Sequence, residues 1–304
     1  MPQPRPYRFD DLPHLLDLLG RINAASGLLC DFHPGDLSHH LTNILRGADP
    51  AVYFHVLDAP DGEPLGFVEL SKWGAFDVVV HPDHRGGALE RDTLAWAAAA
   101  QSAMRARVEK PFEHLHAYGM DIDPMRSRLL MELGFAPDPA PYMALTIRPL
   151  AADDPLPRLP DGFSIRPADG VHEAAALAAV HSSAFHSNWT PERYATVMQT
   201  PGFVIDRELV VVAPTGEFAA FLVYWLDPVS RSGLFEPVGC AQPYQRRGLT
   251  TALMTHTFGL MRAAGMTHAV VKHELDNPAS TRAYASLGFV RQAAYTEYKR
   301  AIAV

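Results

Sequence analysis

A short basic turn is the part of this sequence best suited to bind an anion. It reads Gln-Arg-Arg-Gly at residues 245–248 and lies between an apolar stretch ending at Cys240 and a helix predicted to begin near Leu249. The first N–H groups of a helix have no partner within the helix and lie at the positive end of its dipole. A phosphate placed there would accept hydrogen bonds from the main chain, and Gly248 would let it approach closely.

A second polar segment follows the next predicted strand. It begins at Asn277, carries Tyr284 and ends at Gly288-Phe289. Asparagine is a favoured N-cap residue, and glycine is favoured directly after the last residue of a helix. The sequence therefore predicts two strand–helix units, each with polar residues at the start of its helix.

Together the two segments resemble the signature of the GNAT acyltransferase superfamily. That signature is Gln/Arg-x-x-Gly-x-Gly/Ala after the fourth strand, followed by a helix that starts at Asn, carries a Tyr and closes on Gly-Phe. The chain departs from it at residue 250, where a threonine adds bulk to the turn that would hold pyrophosphate. The matching positions are Gln245, Gly248, Thr250, Asn277, Tyr284 and Gly288-Phe289.

The resemblance implies an α/β (α+β) fold whose mixed, mostly antiparallel central sheet is splayed between strands 4 and 5 and flanked by helices. Acetyl-CoA would lie in that gap, with its pyrophosphate on N–H groups of the turn and its pantetheine arm paired with the open strand. Arg246 and Arg247 would add charge-assisted contacts, or would be solvated surface residues, since the backbone alone can bind the anion. The residues expected to bind acetyl-CoA are Val238, Gly239, Cys240, Gln245, Arg246, Arg247, Gly248, Leu249, Thr250, Asn277, Ser280 and Tyr284.

Direct attack of an amine on a thioester involves two proton transfers. The ammonium, with a reference pKa of about 10, must lose a proton, and the departing thiolate, with a reference pKa of about 8.5, benefits from gaining one. The resemblance assigns the second role to Tyr284. A phenol is neutral at pH 7 and can hold a hydrogen bond on sulfur. Otherwise Tyr284 is an aromatic ring that packs against the cofactor or the core.

Glu236 is the preferred candidate for the base. Period-2 alternation along the strand is expected to place its side chain on the same face as Val238 and Cys240. A carboxylate in a half-buried cleft would have a raised pKa, which suits proton uptake near neutral pH. The alternatives are His273 or Glu274 as the base, with Glu236 in a structural salt bridge.

The order of predicted elements occurs twice, so the chain contains an internal repeat. Arg85 and Gly134 lie 160 and 154 residues before their counterparts Gln245 and Gly288. A proline-rich segment separates the copies and is expected to be a stiff linker. We predict two tandem GNAT-like domains at 1–150 and 162–304, joined by a linker at 151–161, as in tandem members of the mycothiol synthase type.

The first copy lacks the residues that the resemblance associates with catalysis. Ala88 replaces the glycine of the turn, and Glu90 places a carboxylate where pyrophosphate would lie. Asp123 stands in the place of the asparagine, and Leu130 in the place of the tyrosine. The first domain is therefore predicted to be non-catalytic, to pack against the second and to form a wall of its substrate pocket.

Composition excludes several other classes of protein. The net charge is −8 over 304 residues without a long basic run, which argues against nucleic acid as a partner. No apolar stretch reaches about 18 residues, so no membrane span is predicted. The two cysteines, Cys30 and Cys240, are far apart, which suits a reducing cytoplasm. The 15 histidines lack partners at zinc-like spacing, so no metal site is predicted.

These observations favour an acyl-CoA-dependent N-acyltransferase that moves acetyl from acetyl-CoA to the primary amine of a small molecule. One alternative is a non-catalytic acyl-CoA-binding or regulatory module. Another is a transferase that acts on a hydroxyl group or on a protein amine. We expect a monomer, because the repeat forms an internal pseudo-dimer, or a weak homodimer.

Overall fold

The computed structural model describes residues 3–41, 48–199 and 202–302. These residues form a mixed α/β fold with two sheets, in which antiparallel pairing dominates, as the sequence predicted. The strands are β1 Arg5–Pro6, β2 Phe54–Asp58, β3 Pro64–Leu70, β4 Phe76–Val80, β5 His114–Met120, β6 Ala136–Pro137, β7 Met143–Pro149, β8 Ser164–Pro167, β9 Glu208–Val212, β10 Phe218–Asp227, β11 Ser232–Cys240, β12 His268–Glu274 and β13 Val290–Ala301. The helices are α1 Leu12–Ser26, α2 Pro34–His39, α3 Pro50–Tyr53, α4 Ala88–Met104, α5 Pro124–Glu132, α6 Ala174–Phe185, α7 Pro191–Met198, α8 Leu249–Ala263 and α9 Pro278–Ser286.

The large sheet contains strands from both halves of the chain. Its order is β5-β13-β7-β12-β11-β10-β9-β8, with β6 paired to β13, whereas β1 to β4 form a separate sheet. β7 lies between β12 and β13 and pairs antiparallel with β12 along its whole length. β13, the last strand of the chain, pairs in turn with β5 of the first half. Each half thus completes the sheet of the other, an arrangement that the repeat in the sequence did not predict.

The large sheet is open between β11 and β12. These strands are parallel neighbours over only three residue pairs, from Ser232 opposite His268 to Leu234 opposite Val270. Beyond those pairs the two strands are not paired with each other within the described residues. The corresponding strands of the first half, β4 and β5, meet at the single bridge between Ala75 and His116. Both halves therefore have the gap between their fourth and fifth strands that the resemblance implied.

A β-bulge interrupts the alternation of β11 at Glu236. Leu222 and Tyr224 on β10 are two residues apart, yet they face Val238 and Phe235, which are three apart, so β11 carries one extra residue. Val238 therefore packs with Phe235 in the core beneath α8, whereas Glu236 lines a cavity elsewhere. The expectation that Glu236 shares a face with Val238 and Cys240 was wrong, because the bulge reverses the alternation between them.

Local sequence explains where the two helices of the second half begin. Gly248 has a φ of 75°, in the left-handed region, and directly precedes α8. Asn277 caps α9, because its side-chain oxygen accepts the N–H of Ser280 at 3.2 Å. Pro278 occupies the first helical position, where its missing N–H costs nothing. Both helices therefore begin where the sequence predicted, at the ends of β11 and β12.

An apolar core joins the two halves. Its buried side chains come from the turn after α1, from β5 and from β7 on one side, and from β10, β11, β12 and β13 on the other. Full burial of a large apolar side chain contributes about 1.5 to 3 kcal/mol. Several such side chains outweigh any single polar contact across this boundary, so the halves form one packed unit. The core consists of Leu28, Met120, Leu145, Val223, Trp225, Leu234, Val270, Ala293 and Tyr295.

Candidate active site

The turn that precedes α8 is exposed at the open edge of the gap. Residues 245–248 are all solvent-exposed, and the first turn of α8 directs its free N–H groups towards them. Arg246 has a positive φ of 62°, which is uncommon for a residue with a side chain. Arg247 lies over the ring of Tyr244 and donates a hydrogen bond to the carbonyl of Pro243 at 3.2 Å. The turn therefore offers main-chain donors and two guanidinium groups to an anion.

Glu236 lies at a cavity between the two halves. Burial raises the pKa of its carboxyl group, and the neighbouring carboxylate of Asp36 raises it further. Lys272 on β12 and His40 act in the opposite direction, because their positive charges favour the ionised form. A carboxyl group with a raised pKa can exchange a proton near neutral pH. The geometry thus places the predicted base where a small molecule can reach it.

Asp36 belongs to α2 of the first half and was not singled out in the sequence. Its carboxylate is 2.7 Å from Nζ of Lys272 and accepts the main-chain N–H of His33 at 2.6 Å. Against the effect of burial, the charge of Lys272 and the hydrogen-bonding groups around Asp36 hold the pKa of its carboxyl group well below the usual range. Nζ of Lys272 also donates a hydrogen bond to the main-chain carbonyl of Asp31 at 2.7 Å. Lys272 therefore connects the two halves of the chain. No sequence signal marked Asp36, because it lies 200 residues before Glu236.

Tyr284 packs on the inner side of α9 near the same cavity. Its ring centroid is 5.2 Å from that of His273 and 5.9 Å from that of Phe289. Burial raises the pKa of Tyr284 to about 12, with a smaller contribution from the charge of Glu236. The phenol is therefore neutral at physiological pH and is close enough to Glu236 to feel its charge. Tyr284 and Glu236, 48 residues apart, are brought together by the gap between β11 and β12.

The two alternative bases lie at the end of β12. His273 is 9% exposed, and its Nδ1 contacts the carbonyl oxygen of Glu274 at 3.2 Å. Glu274 itself is exposed at the mouth of the cavity. Both residues line the same cavity as Glu236, but only Glu236 has a carboxylate of the first half beside it. His273 thus lies beside Tyr284, and Glu274 lies closer to solvent than Glu236 does.

The cavity has a volume of about 270 Å³ and lies between the halves. Its size suits a small molecule rather than a folded protein segment. Residues of the first half supply much of its wall, and that this cavity is the substrate pocket stays a prediction. It is lined by Asp31, Phe32, Asp36, His40, Asp77, Tyr118, Tyr142, Met143, Glu236, Lys272, His273, Glu274 and Tyr295.

The equivalent gap in the first half is filled by an ion pair. Glu90 is fully buried and accepts the N–H of Gly86, in the turn that corresponds to residues 245–248. Arg126 lies 2.6 Å from Glu90 and donates to the carbonyl of Val78 at 2.8 Å. Val78 is the counterpart of Val238, 160 residues later. Groups that would hold a cofactor in the second half are therefore bonded internally in the first.

The described residues contain no cluster of three or more His, Cys, Asp or Glu side chains arranged to hold a metal ion. In the same ranges, no helix is both long enough and apolar enough to cross a membrane.

Known proteins resemble this chain both in sequence and in fold. Residues 174–289 match the acetyltransferase (GNAT) family. A GCN5-related N-acetyltransferase from Sphaerobacter thermophilus has the same fold, with a TM-score of 0.67 over 98% of this chain and 95% of that chain at 18% identity. A tandem GNAT protein from the clavulanic acid biosynthesis pathway also gives 0.67, over 99% and 98% at 16% identity. Residues 174–289 are therefore similar to the GNAT acetyltransferases, and the whole chain shares the fold of these two proteins.

Several sequence relatives are mycothiol acetyltransferases. The relative from Tsukamurella paurometabola is 27% identical, and the alignment covers 93% of this chain and 94% of that protein. The relative from Streptomyces coelicolor is 28% identical, with 81% and 79% covered. The first of these alignments spans both halves, so the likeness extends beyond the segment that matches the family.

Proposed function

We propose that the second half transfers the acetyl group of acetyl-CoA to the primary amine of a small molecule bound between the halves. The observation that carries this proposal is the position of Glu236. It lies on the strand that borders the gap, near Tyr284, and it lines the cavity between the halves. The anion-binding turn is at the end of the same strand, so one element connects the proposed cofactor site to the proposed acceptor site.

The cofactor would bind along the open edge of β11. Its pyrophosphate would accept hydrogen bonds from the N–H groups of residues 246–250, with Gln245 at the start of the turn, and charge-assisted contacts from Arg246 and Arg247. Its pantetheine arm would pair with the main chain at residues 238–240. Asn277 and Ser280 lie at the start of α9, directly after β12, and would contact the pantetheine arm from the other side of the gap.

The residues of the site account for each proton in the transfer. Glu236, when ionised, takes a proton from the bound ammonium, and the free amine attacks the thioester carbonyl. A main-chain N–H near Val238 would stabilise the oxyanion of the tetrahedral intermediate. As the new C–N bond forms and the C–S bond breaks, Tyr284 donates its hydroxyl hydrogen to the departing sulfur. The nitrogen of the new amide then gives up its extra proton, which restores the hydroxyl group of Tyr284. The proton on Glu236 then leaves to solvent through the cavity.

The volume of the cavity, about 270 Å³, favours a small acceptor over a protein amine. Because several relatives are named mycothiol acetyltransferases, the acceptor that those enzymes acetylate is one of the first amines to test. We further propose that the protein acts in the cytoplasm, where its two free thiols stay reduced, and that it is a monomer with an internal pseudo-dimer or a weak homodimer.

An amine screen that follows the release of free CoA tests this function. The screen should find at least one amine acceptor with acetyl-CoA as the donor, and Glu236→Gln should remove most of that turnover. Calorimetric titration should also find one acetyl-CoA site per chain, because the gap of the first half is filled. Binding of acetyl-CoA without turnover of any amine would favour the alternative, a non-catalytic acyl-CoA-binding module.

A further inference from the structure

The cavity between the halves receives a carboxyl group from the central strand of each repeat. Glu236 comes from β11, and Asp77 comes from β4, the corresponding strand of the first half. On the next strand of each repeat, Lys272 and Tyr118 also occupy corresponding positions, 154 residues apart, and line the same cavity. The cavity is therefore lined by two carboxyl groups from corresponding strands of the internal repeat, of which the proposed reaction uses only one.

Most acidic groups near this cavity are already neutralised by a partner. Lys272 pairs with Asp36 at 2.7 Å, and Arg85 pairs with Asp31 at 3.3 Å. On the strand beside Asp77, Glu69 is 2.7 Å from Nδ1 of His40. The charge of Glu69 raises the pKa of His40, against the effect of burial, to about 9, so this pair is ionic at neutral pH.

Asp77 differs from these acids. Its side chain makes no hydrogen bond and no ion pair with any residue of the described ranges. Its carboxyl group borders the cavity, and burial, followed by the charge of Glu69, raises its pKa to about 7. A half-buried carboxyl group without a partner is less favourable than one whose partner is supplied by a ligand. A cation in the cavity would provide that partner and return Asp77 to its ionised form.

Aromatic side chains surround this end of the cavity. The rings of Tyr118 and Tyr142 are 5.3 Å apart, and both phenols are close enough to Asp77 to feel its charge. Aromatic faces attract an ammonium group, and phenol oxygens accept its hydrogen bonds. The end of the cavity formed by Asp77, Tyr118 and Tyr142, here called the distal acidic end, is thus built for a positively charged group.

We propose that the acceptor is a diamine or a larger amine with a second cationic group, which binds at the distal acidic end while the reacting amine lies at Glu236. This inference rests on the proposed function, because it specifies the acceptor of the same site. Only one of the two amines is acetylated, since Glu236 lies on the strand that borders the open gap near Tyr284, whereas Asp77 lies on β4, whose gap is filled by Glu90 and Arg126.

The test compares three acceptors of equal length on the full chain with saturating acetyl-CoA: an α,ω-diamine, the monoamine and the amino alcohol. The carbon chain is varied from about two to about six methylenes, because the ammonium groups must match the spacing of the two acids. Charge-assisted contact at the distal acidic end should raise kcat/KM for the best diamine about tenfold or more above the monoamine. The amino alcohol should resemble the monoamine.

Asp77→Asn should lower kcat/KM for the diamine towards the value for the monoamine, chiefly through KM. Asp83→Asn is the matched control, because Asp83 belongs to the same half and its side chain is 83% exposed. The control should leave the preference for the diamine intact.

Two outcomes would overturn the inference while the proposed function stands: amines are acetylated without preference for the diamine, or the amino alcohol performs as well as the diamine. Failure to acetylate any amine would instead count against the proposed function. The wild-type series does not depend on the folding of the variant, so the inference can fail even if Asp77→Asn is unstable.

Discussion

Replacing Asp36 with asparagine removes the negative charge beside Glu236 while keeping the size of the side chain. Two consequences follow, and both lower the pKa of Glu236. The like charge that disfavours ionisation disappears, and Lys272, which has lost its ion-pair partner, becomes available to the Glu236 carboxylate. The direction of the effect therefore does not depend on which of the two is larger.

The size of the shift follows from the proximity of the three groups. A charge within hydrogen-bonding distance in a buried site changes a pKa by about 1 to 3 units, and each unit corresponds to about 1.4 kcal/mol. Activity rises with pH as Glu236 loses its proton, so the rising limb of kcat/KM should move about 1 to 2 units to lower pH in Asp36→Asn. The plateau should fall by no more than about tenfold, because a weaker base removes the proton less effectively.

The assay measures release of free CoA from about pH 5 to about pH 9, together with thermal unfolding to confirm that the variant is folded. Asp83→Asn serves as the control, because an exposed acid of the same half should leave the limb in place. A folded Asp36→Asn protein whose limb coincides with that of the wild type would refute the reasoning. Either Glu236 would not be the titrating base, or Asp36 would not act on it.

Three further predictions concern the remaining parts of the site. Tyr284→Phe should lower kcat about a hundredfold with little change in acetyl-CoA affinity, and an unchanged kcat would remove its acid role. Arg246→Ala should weaken acetyl-CoA binding about tenfold in a titration, whereas Arg128→Ala, with a side chain 55% exposed, should not. Arg126→Met should lower the free energy of unfolding by about 3 to 5 kcal/mol in urea, because Glu90 is left buried and unpaired, and adding Glu90→Gln should restore part of it.

Local signals in the sequence were sufficient for the elements that bind an anion. The basic turn before Leu249 and the capped helix from Asn277 each depend on contacts between residues that are close in the chain. The same local signals predicted the repeat and the class of fold. That the side chains at these positions bind a cofactor stays a prediction, because their placement alone does not demonstrate binding.

Features that depend on pairing between distant strands were not predicted. The bulge at Glu236 reflects the register of β11 against β10, which depends on packing across the sheet. Asp36 and Asp77 enter the cavity because the first half folds over the second, and their neighbours in the sequence do not reveal this. β7 pairs with β12 of the second half, and β13 pairs with β7 and β5 of the first half. The sequence of a strand does not specify which strand it pairs with.

The pairing of strands from both halves in the large sheet determines where the chain can be divided. A fragment that ends near residue 150 would keep β7 but lose β12 and β13, its two neighbours, and the complementary fragment would have a gap between β12 and β13. Each piece would expose unpaired strand edges that invite aggregation. The two halves therefore depend on each other for a complete sheet, so we expect that neither folds alone and that the full chain unfolds in a single melting transition.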